Sequence, residues 1–199
     1  MLGFAITGLI DPAVAAALET PHADDVLVLT KPLCFGVTTT ALKQEKAAPE
    51  DVAEVVAWMK KLNKVASALA VEFRLRGGTD VTGFSLLGHG SEMAAASGVG
   101  MRFFVEKLPF VACAHKYAGM GTFAGGLFDN LRHFGPKVRF APDISEETRM
   151  LLFDPQTSGG LLLAVPRRKL ADFLKRAGEI SQPAWVVGQA FAGAGLEIK

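Results

Sequence analysis

The chain has few groups from which to build a covalent or metal scaffold: two cysteines and four histidines in 199 residues. Cys34 and Cys113 cannot form a disulfide framework or a four-ligand zinc site, which points to a reducing compartment, the cytoplasm. Charge of one sign is also missing. Lys and Arg number 21 against 20 Asp and Glu, a net charge of +1. That balance gives no general attraction for nucleic acid or an anionic membrane. No uninterrupted apolar run reaches the ~18 residues of a membrane-crossing helix. Met1-Leu2-Gly3-Phe4-Ala5 lacks the basic segment of a signal peptide. What is present is apolar: 50% hydrophobic against 21% charged, which excludes a mostly disordered chain. The length suffices for one large domain or two small ones. Twenty-one glycines imply tight turns or close backbone approaches.

The apolar run 26–30, closed by Lys31-Pro32, reads as a buried strand. Pro49-Glu50-Asp51 suits a helix N-terminus. From there Val52, Val55, Val56, Met59, Leu62, Val65, Ala66 and Leu69 recur every three or four residues. They predict one amphipathic helix of about five turns, with Lys60, Lys61 and Lys64 on its solvated side. Gly77-Gly78 breaks the chain before a helix over 85–97 that Gly98 ends. Strands are expected at 101–105, 137–140, 161–165, 185–189 and 196–198. Helices are expected within 108–119 and 123–134, from Ser145 through Leu152, and over 167–177 with Gly178 as the stop. Strands and helices mix without strict alternation. The fold class expected is α+β, a mixed sheet covered by helices.

Three glycine-bearing blocks carry candidate chemistry. In Gly77-Gly78-Thr79-Asp80-Val81-Thr82-Gly83-Phe84 an aspartate sits between glycine pivots just before a helix. A carboxylate there can hold a Mg²⁺ whose remaining ligands are phosphate oxygens, and the helix N-terminus favours the same phosphates. The competing reading makes Asp80 the cap of that helix. No P-loop and no dinucleotide fingerprint is present. Asp154-Pro155-Gln156-Thr157-Ser158-Gly159-Gly160 gathers turn formers, hydroxyls and N–H groups, either as a polar clamp at a cleft or as a plain connection before a strand. Gly125-Gly126, with Asp129, Asn130 and Arg132, is either an anion loop or a plain one. His22, His89, His115 and His133 share no ligand-like spacing. His89 and its i,i+3 neighbour Glu92 read as structural. Cys34, just past a strand and Pro32, is expected to be accessible but inert.

Taken together, these segments resemble selenophosphate synthetase (selenide, water dikinase). The resemblance rests on Thr79-Asp80-Val81-Thr82-Gly83-Phe84 with Leu86-Leu87-Gly88-His89, Ser91-Glu92-Met93 and Ala96-Ser97-Gly98-Val99. It rests also on Asp154 to Leu162, on Leu29-Thr30-Lys31-Pro32-Leu33 with Gly36-Val37, and on Gly125-Gly126 with Asn130. The resemblance implies an enzyme that uses ATP and water to phosphorylate selenide, releasing selenophosphate, AMP and phosphate. It also implies a C-terminal α+β domain of the aminoimidazole ribonucleotide synthetase superfamily. Residues 1–12 would be the remnant of the crossing from a missing N-terminal domain, and 13–199 the C-terminal domain. By this resemblance no catalytic residue lies in this chain, and Asp80 is its one metal ligand. Thr82, Gly83, Thr157, Ser158 and Gly159 are further candidates for nucleotide contact. ATP and Mg²⁺ are expected only in the complete enzyme, whose other partners would be selenide, the missing domain and a second copy in a homodimer. Four positions depart from the family: Cys34-Phe35 stands where relatives usually have Gly-Thr, Ser85 where they usually have glycine, and Gly90 where a larger apolar residue is common. Two other functions fit the same residues: a domain of a related ATP-dependent synthetase, or a stand-alone binding or partner domain.

Overall fold

The computed structural model describes residues 21–199; the expected crossing segment, 1–12, lies outside the described residues. In chain order come β1 (Val26–Leu29), α1 (Phe35–Lys43), α2 (Pro49–Lys60), α3 (Lys64–Glu72), β2 (Gly77–Asp80), α4 (Ser85–Ser97) and β3 (Gly100–Phe103). They are followed by α5 (Ala114–Gly119), α6 (Gly125–Phe134), β4 (Val138–Phe140), α7 (Glu146–Leu152), β5 (Leu161–Val165), α8 (Leu170–Glu179), β6 (Trp185–Phe191) and β7 (Leu196–Ile198). The strands form one sheet in the order β2-β5-β1-β6-β3-β7-β4. It is mixed: β7 runs parallel to β3 and β4, and the other pairs are antiparallel. This is the α+β architecture expected from the sequence. No helix among the described residues is long and apolar enough to cross a membrane.

β1 shows why its run is apolar throughout. Successive side chains of a strand point to opposite faces. Leu27 and Leu29 enter the larger core with Phe35, Phe103 and Phe153. Val26 and Val28 enter the smaller one, where Leu69 of α3 and Phe173 and Ala177 of α8 cover the sheet. A central strand buried on both faces needs a continuous hydrophobic run.

The expected helix over 49–69 is two helices, α2 and α3, which part at residues 61–63. The apolar periodicity survives the break, so periodicity alone could not reveal it. The expected glycine break, Gly77-Gly78, instead opens an edge strand, Gly77–Asp80, paired with β5, Asp80 facing Leu161 across the ladder. Helix α1 carries no strong periodic signal and was not expected. Gly178 does not stop α8, which runs to Glu179 after a 3₁₀ turn at Arg167–Lys169. Two expected ends hold. Gly98 closes α4 in the left-handed region at φ +63°, and Ser145 Oγ accepts the Thr148 N–H as the cap of α7.

Two glycines of α4 should respond oppositely to alanine. A Cβ at Gly90 would stand 3.4 Å from the Phe103 ring, an ordinary contact, whereas one at Gly88 would stand 2.7 Å from the Phe134 ring and 2.8 Å from Phe84 Cβ. Gly90→Ala is expected to raise stability by about 0.5–1 kcal/mol through helix propensity. Gly88→Ala is expected to lower it by about 1–3 kcal/mol through overpacking. Denaturant midpoints of the two variants moving in the same direction would contradict the packing described.

Candidate functional site

The four sequence blocks meet at one end of β2. The ladder with β5 continues past Asp80, because Val81 N–H donates to the Gly160 carbonyl at 2.8 Å and Gln156 N–H to the Thr82 carbonyl at 3.0 Å. The Asp154–Gly160 turn therefore lies flat on the Val81-Thr82 backbone. Gly159 marks the closest approach: a Cβ there would lie 2.0 Å from the Val81 carbonyl oxygen. From α6, buried Asn130 reaches across with Nδ2, 2.9 Å from the Gly83 carbonyl and 3.1 Å from that of Phe153. The 30–36 block closes the ring. Thr30 Oγ1 accepts the Leu161 N–H at 2.7 Å, and Lys31 Nζ donates to the Ser158 carbonyl at 2.7 Å.

The Asp-Pro-Gln-Thr-Ser-Gly-Gly block also satisfies orphaned helix ends. Helix α1 opens at Cys34, which has no side-chain cap bond. Its free N–H groups find distant acceptors: Phe35 N–H donates to Gln156 Oε1 at 3.0 Å and Gly36 N–H to Asp154 Oδ2 at 2.7 Å. At the other side, Ser158 Oγ donates to the Met59 carbonyl in the last turn of α2, and Asn63 Nδ2, in the break before α3, donates to the Gly159 carbonyl. An unpaired buried backbone group costs about as much as a lost hydrogen bond. These side chains therefore hold the α1 start and the α2–α3 junction against one turn.

Electrostatics follow from burial. Asp154 is 1% exposed with Oδ1 unpartnered. Burial pushes its carboxyl up to about 7, outweighing the backbone N–H groups of Gly36 and Val37 and the Gln156 amide that pull the other way. Lys31, 2% exposed, is lowered by burial and by the Lys61 charge. Cys34 is fully buried rather than accessible, and burial raises its thiol well above the ordinary range. It is no nucleophile.

Asp80 is different. Its carboxylate is exposed and has no hydrogen bond or ion pair to any of the described residues. It stands at a cavity of about 500 Å³ lined by Ser67, Val71, Arg76, Thr79 and Leu161. The capping alternative fails: α4 begins five residues later, with Phe84 at its N-cap position and no side-chain cap. An unspent hard oxygen donor on a braced strand end suits Mg²⁺. No cluster of three or more His, Cys, Asp or Glu able to hold a metal occurs among the described residues, so further ligands would have to come from outside them. Of the other candidates, Gly83 and Thr157 are exposed, whereas Ser158 and Gly159 are spent on the braces described above. Thr82 is half-buried and bonded to His89. Lys31, Asn130, Asp154 and Gln156 brace the site; from sequence Asp154 and Gln156 belonged to a candidate clamp and Asn130 to a candidate anion loop, but their bracing bonds were not foreseen, and an amide or carboxyl beside a turn former was the signal available.

Backbone strain gathers here. Cys34, Ser85 and Ser158, one from each of three blocks, all have φ between +56° and +80°. At Cys34 and Ser85 this is the conformation that glycine adopts freely, and both are positions where the resemblance leads one to expect glycine; nothing in the structure explains the side chains that stand there instead. Ser85→Gly is expected to stabilise the chain by up to about 1 kcal/mol, reduced by loss of the 3.4 Å contact from Gly88 N–H to Ser85 Oγ. A drop of more than about 1 kcal/mol in a urea melt would show that the hydroxyl matters more than the strain.

The chain matches, over residues 22–199, the family described as AIR synthase related protein, C-terminal domain. It belongs to that family. Among curated proteins it is 41% identical over 192 residues to a selenide, water dikinase of Bordetella bronchiseptica (strain ATCC BAA-588 / NCTC 13252 / RB50), covering 96% of this chain and 55% of that protein. It is 38% identical over 174 residues to the selenide, water dikinase of Carboxydothermus hydrogenoformans (strain ATCC BAA-161 / DSM 6008 / Z-2901), covering 87% and 50%. The chain thus spans about half the length of these relatives, their C-terminal part. The same fold occurs in thiamine-monophosphate kinase from Stenotrophomonas maltophilia K279a (TM-score 0.64, 12% identity, 92% of this chain and 52% of that one). It occurs also in E. coli HypE, a hydrogenase maturation protein (TM-score 0.59, 16% identity, 91% and 47%).

Proposed function

We propose that this chain is the C-terminal domain of a selenide, water dikinase, which makes selenophosphate from selenide, ATP and water and releases AMP and phosphate. The observation that carries this reading is the convergence of four separate blocks on the strand end that presents an unspent Asp80, in a chain resembling proteins of that name. In this reading the domain closes over ATP and adds the Asp80 carboxylate to a metal cluster whose other ligands lie in an N-terminal domain. Mg²⁺, when bound, would offset the charge of the transferring phosphoryl group. The chain's own contribution is orientation. The Asp154–Gly160 turn, Asn130 and Lys31 hold the Val81–Gly83 backbone rigid, so that Asp80 meets the metal in one place. In this reading the family's reactive cysteine or selenocysteine, and the lysine that accompanies it, would lie in the N-terminal domain. The isolated chain is therefore expected to fold and to make no selenophosphate.

The test supplies the missing half. The purified chain, and a fusion of it to the N-terminal half of the Bordetella bronchiseptica relative, are incubated with ATP, Mg²⁺ and selenide while AMP is followed. Selenide-dependent AMP release by the fusion alone is expected. Release by the isolated chain would overturn the assignment of roles. ATP turnover by the fusion without selenide dependence would point to a related synthetase acting on another substrate.

A further inference from the structure

Asp80 stands at one end of β2, and a second cavity of about 500 Å³ opens at the other. Three segments far apart in sequence supply its charged lining. Arg74 and Arg76 come from the turn between α3 and β2, Arg168 and Lys169 from the 3₁₀ turn after β5, and His22 and Asp25 from the approach to β1. They meet because the three strands are neighbours: Ala164 of β5 pairs with Gly77 on one side and Leu27 on the other. Lys169 Nζ ties two of the segments together by donating to the Phe73 carbonyl at 2.7 Å.

Four cationic side chains thus share a cavity with one carboxylate, in a chain whose net charge is only +1. That carboxylate, Asp25, is buried and accepts the His22 backbone N–H at 3.0 Å. Elsewhere the fold matches its cations with acids. Arg102 and Arg139 share Glu197, Arg176 lies between Glu72 and Glu179, and Lys116 meets Asp51, whereas Arg74, Arg168 and Lys169 make no ion pair with a described residue. Like charges gathered in this way repel one another. Local preference is also overridden. Arg74 has φ +48°, the left-handed conformation that suits glycine after a helix. Arg168 and Lys169 stand just ahead of α8, where the helix dipole disfavours positive charge. An anion seated among these side chains offsets the repulsion. Guanidinium groups take phosphate oxygens in pairs, and the volume lies in the range of small-ligand sites. No Phe, Tyr or Trp is among the described residues of the lining, so nothing there stacks on a base. We propose that Arg74, Arg76, Arg168 and Lys169 form a second anion site, which takes a chain of two or more phosphate groups by its oxygens. This site is separate from Asp80 and does not depend on the function proposed above.

Calorimetric titration of the purified chain with tripolyphosphate tests it. EDTA is present, so that no divalent metal holds the ligand at Asp80, and the ionic strength is about 0.15 M, where charges beyond ~8 Å are screened. One site per chain is expected, with a Kd of about 1 mM or tighter and ATP binding within about threefold of tripolyphosphate. Arg74→Gln combined with Arg168→Gln is expected to weaken binding at least about tenfold. Both side chains are exposed, so the double variant should fold, with a melting temperature near that of the parent. Arg168→Gln alone, which leaves the Arg74 turn intact, should weaken binding by a smaller factor. Lys43→Gln combined with Lys46→Gln makes the same charge change at exposed residues of α1 and the loop after it, and should leave the Kd within about twofold. The absence of saturable binding would overturn the proposal. So would an equal loss in the two double variants, which would mean a generally basic surface. A short single-stranded RNA that binds more than about tenfold tighter than tripolyphosphate, and loses that affinity in the Arg74/Arg168 variant, would also overturn it in favour of a nucleic-acid surface.

Discussion

Replacing Asp154 by Asn is expected to flatten a pH dependence of stability that the parent chain shows between about pH 4 and pH 7. Asp154 is buried against the first N–H groups of α1, with Oδ2 bonded and Oδ1 bare. Burial raises its carboxyl from 3.8 to about 7. The folded chain therefore holds this proton more tightly than the unfolded chain. The stability from that proton is fully present below the unfolded value and is lost as pH rises through about 7. At about 1.4 kcal/mol per unit, the parent should lose roughly 2–3 kcal/mol relative to Asp154→Asn between about pH 5 and pH 8. Asn matches the shape, keeps an acceptor for Gly36 N–H and carries no charge to desolvate. Gly36 leaves no room for a larger change, since a Cβ there would lie 2.4 Å from Asp154 Oδ1. Urea melts of both proteins at the two pH values provide the measurement. Parallel curves would mean that the carboxylate is solvated or matched by its N–H partners.

The same residue shows how far the sequence could be read. The blocks themselves, their order and the α+β class were legible because glycines and turn formers punctuate the chain and strands such as β1 are apolar throughout. Asp80 could be singled out from its glycine flanks. That its carboxylate makes no bond to a described residue could not, because glycine flanks locate an aspartate without saying which groups surround its side chain. The work of Asp154 and Gln156 was hidden for a related reason. They cap a helix about 120 positions away in sequence, and no local pattern encodes a partner at that distance. The break between α2 and α3 was invisible for the converse reason: Val55 and Leu69 keep their apolar spacing across it, while the backbone turns extended at Lys61 and the bonds from Asn63 and to the Met59 carbonyl hold the junction. Cys34 looked accessible after Pro32, yet Phe35 and the Leu151 carbonyl close over it.

The central claim is that Asp80 serves chemistry and contributes nothing to folding. Exposed, without a partner among the described residues and not a cap, it should tolerate replacement: in the isolated chain Asp80→Asn and Asp80→Ala should each change stability by no more than about 0.5 kcal/mol. In the fusion that carries both halves, Asn keeps the shape but removes the negative charge that a hard Mg²⁺ prefers. Selenide-dependent AMP release by Asp80→Asn should fall at least about 10–100-fold, with the melting temperature unchanged. The most direct measurement is that rate beside that of the parent fusion at saturating ATP and Mg²⁺. A steep loss at unchanged stability is the predicted result; near-parental turnover would contradict the account and leave Asp80 an ordinary surface carboxylate.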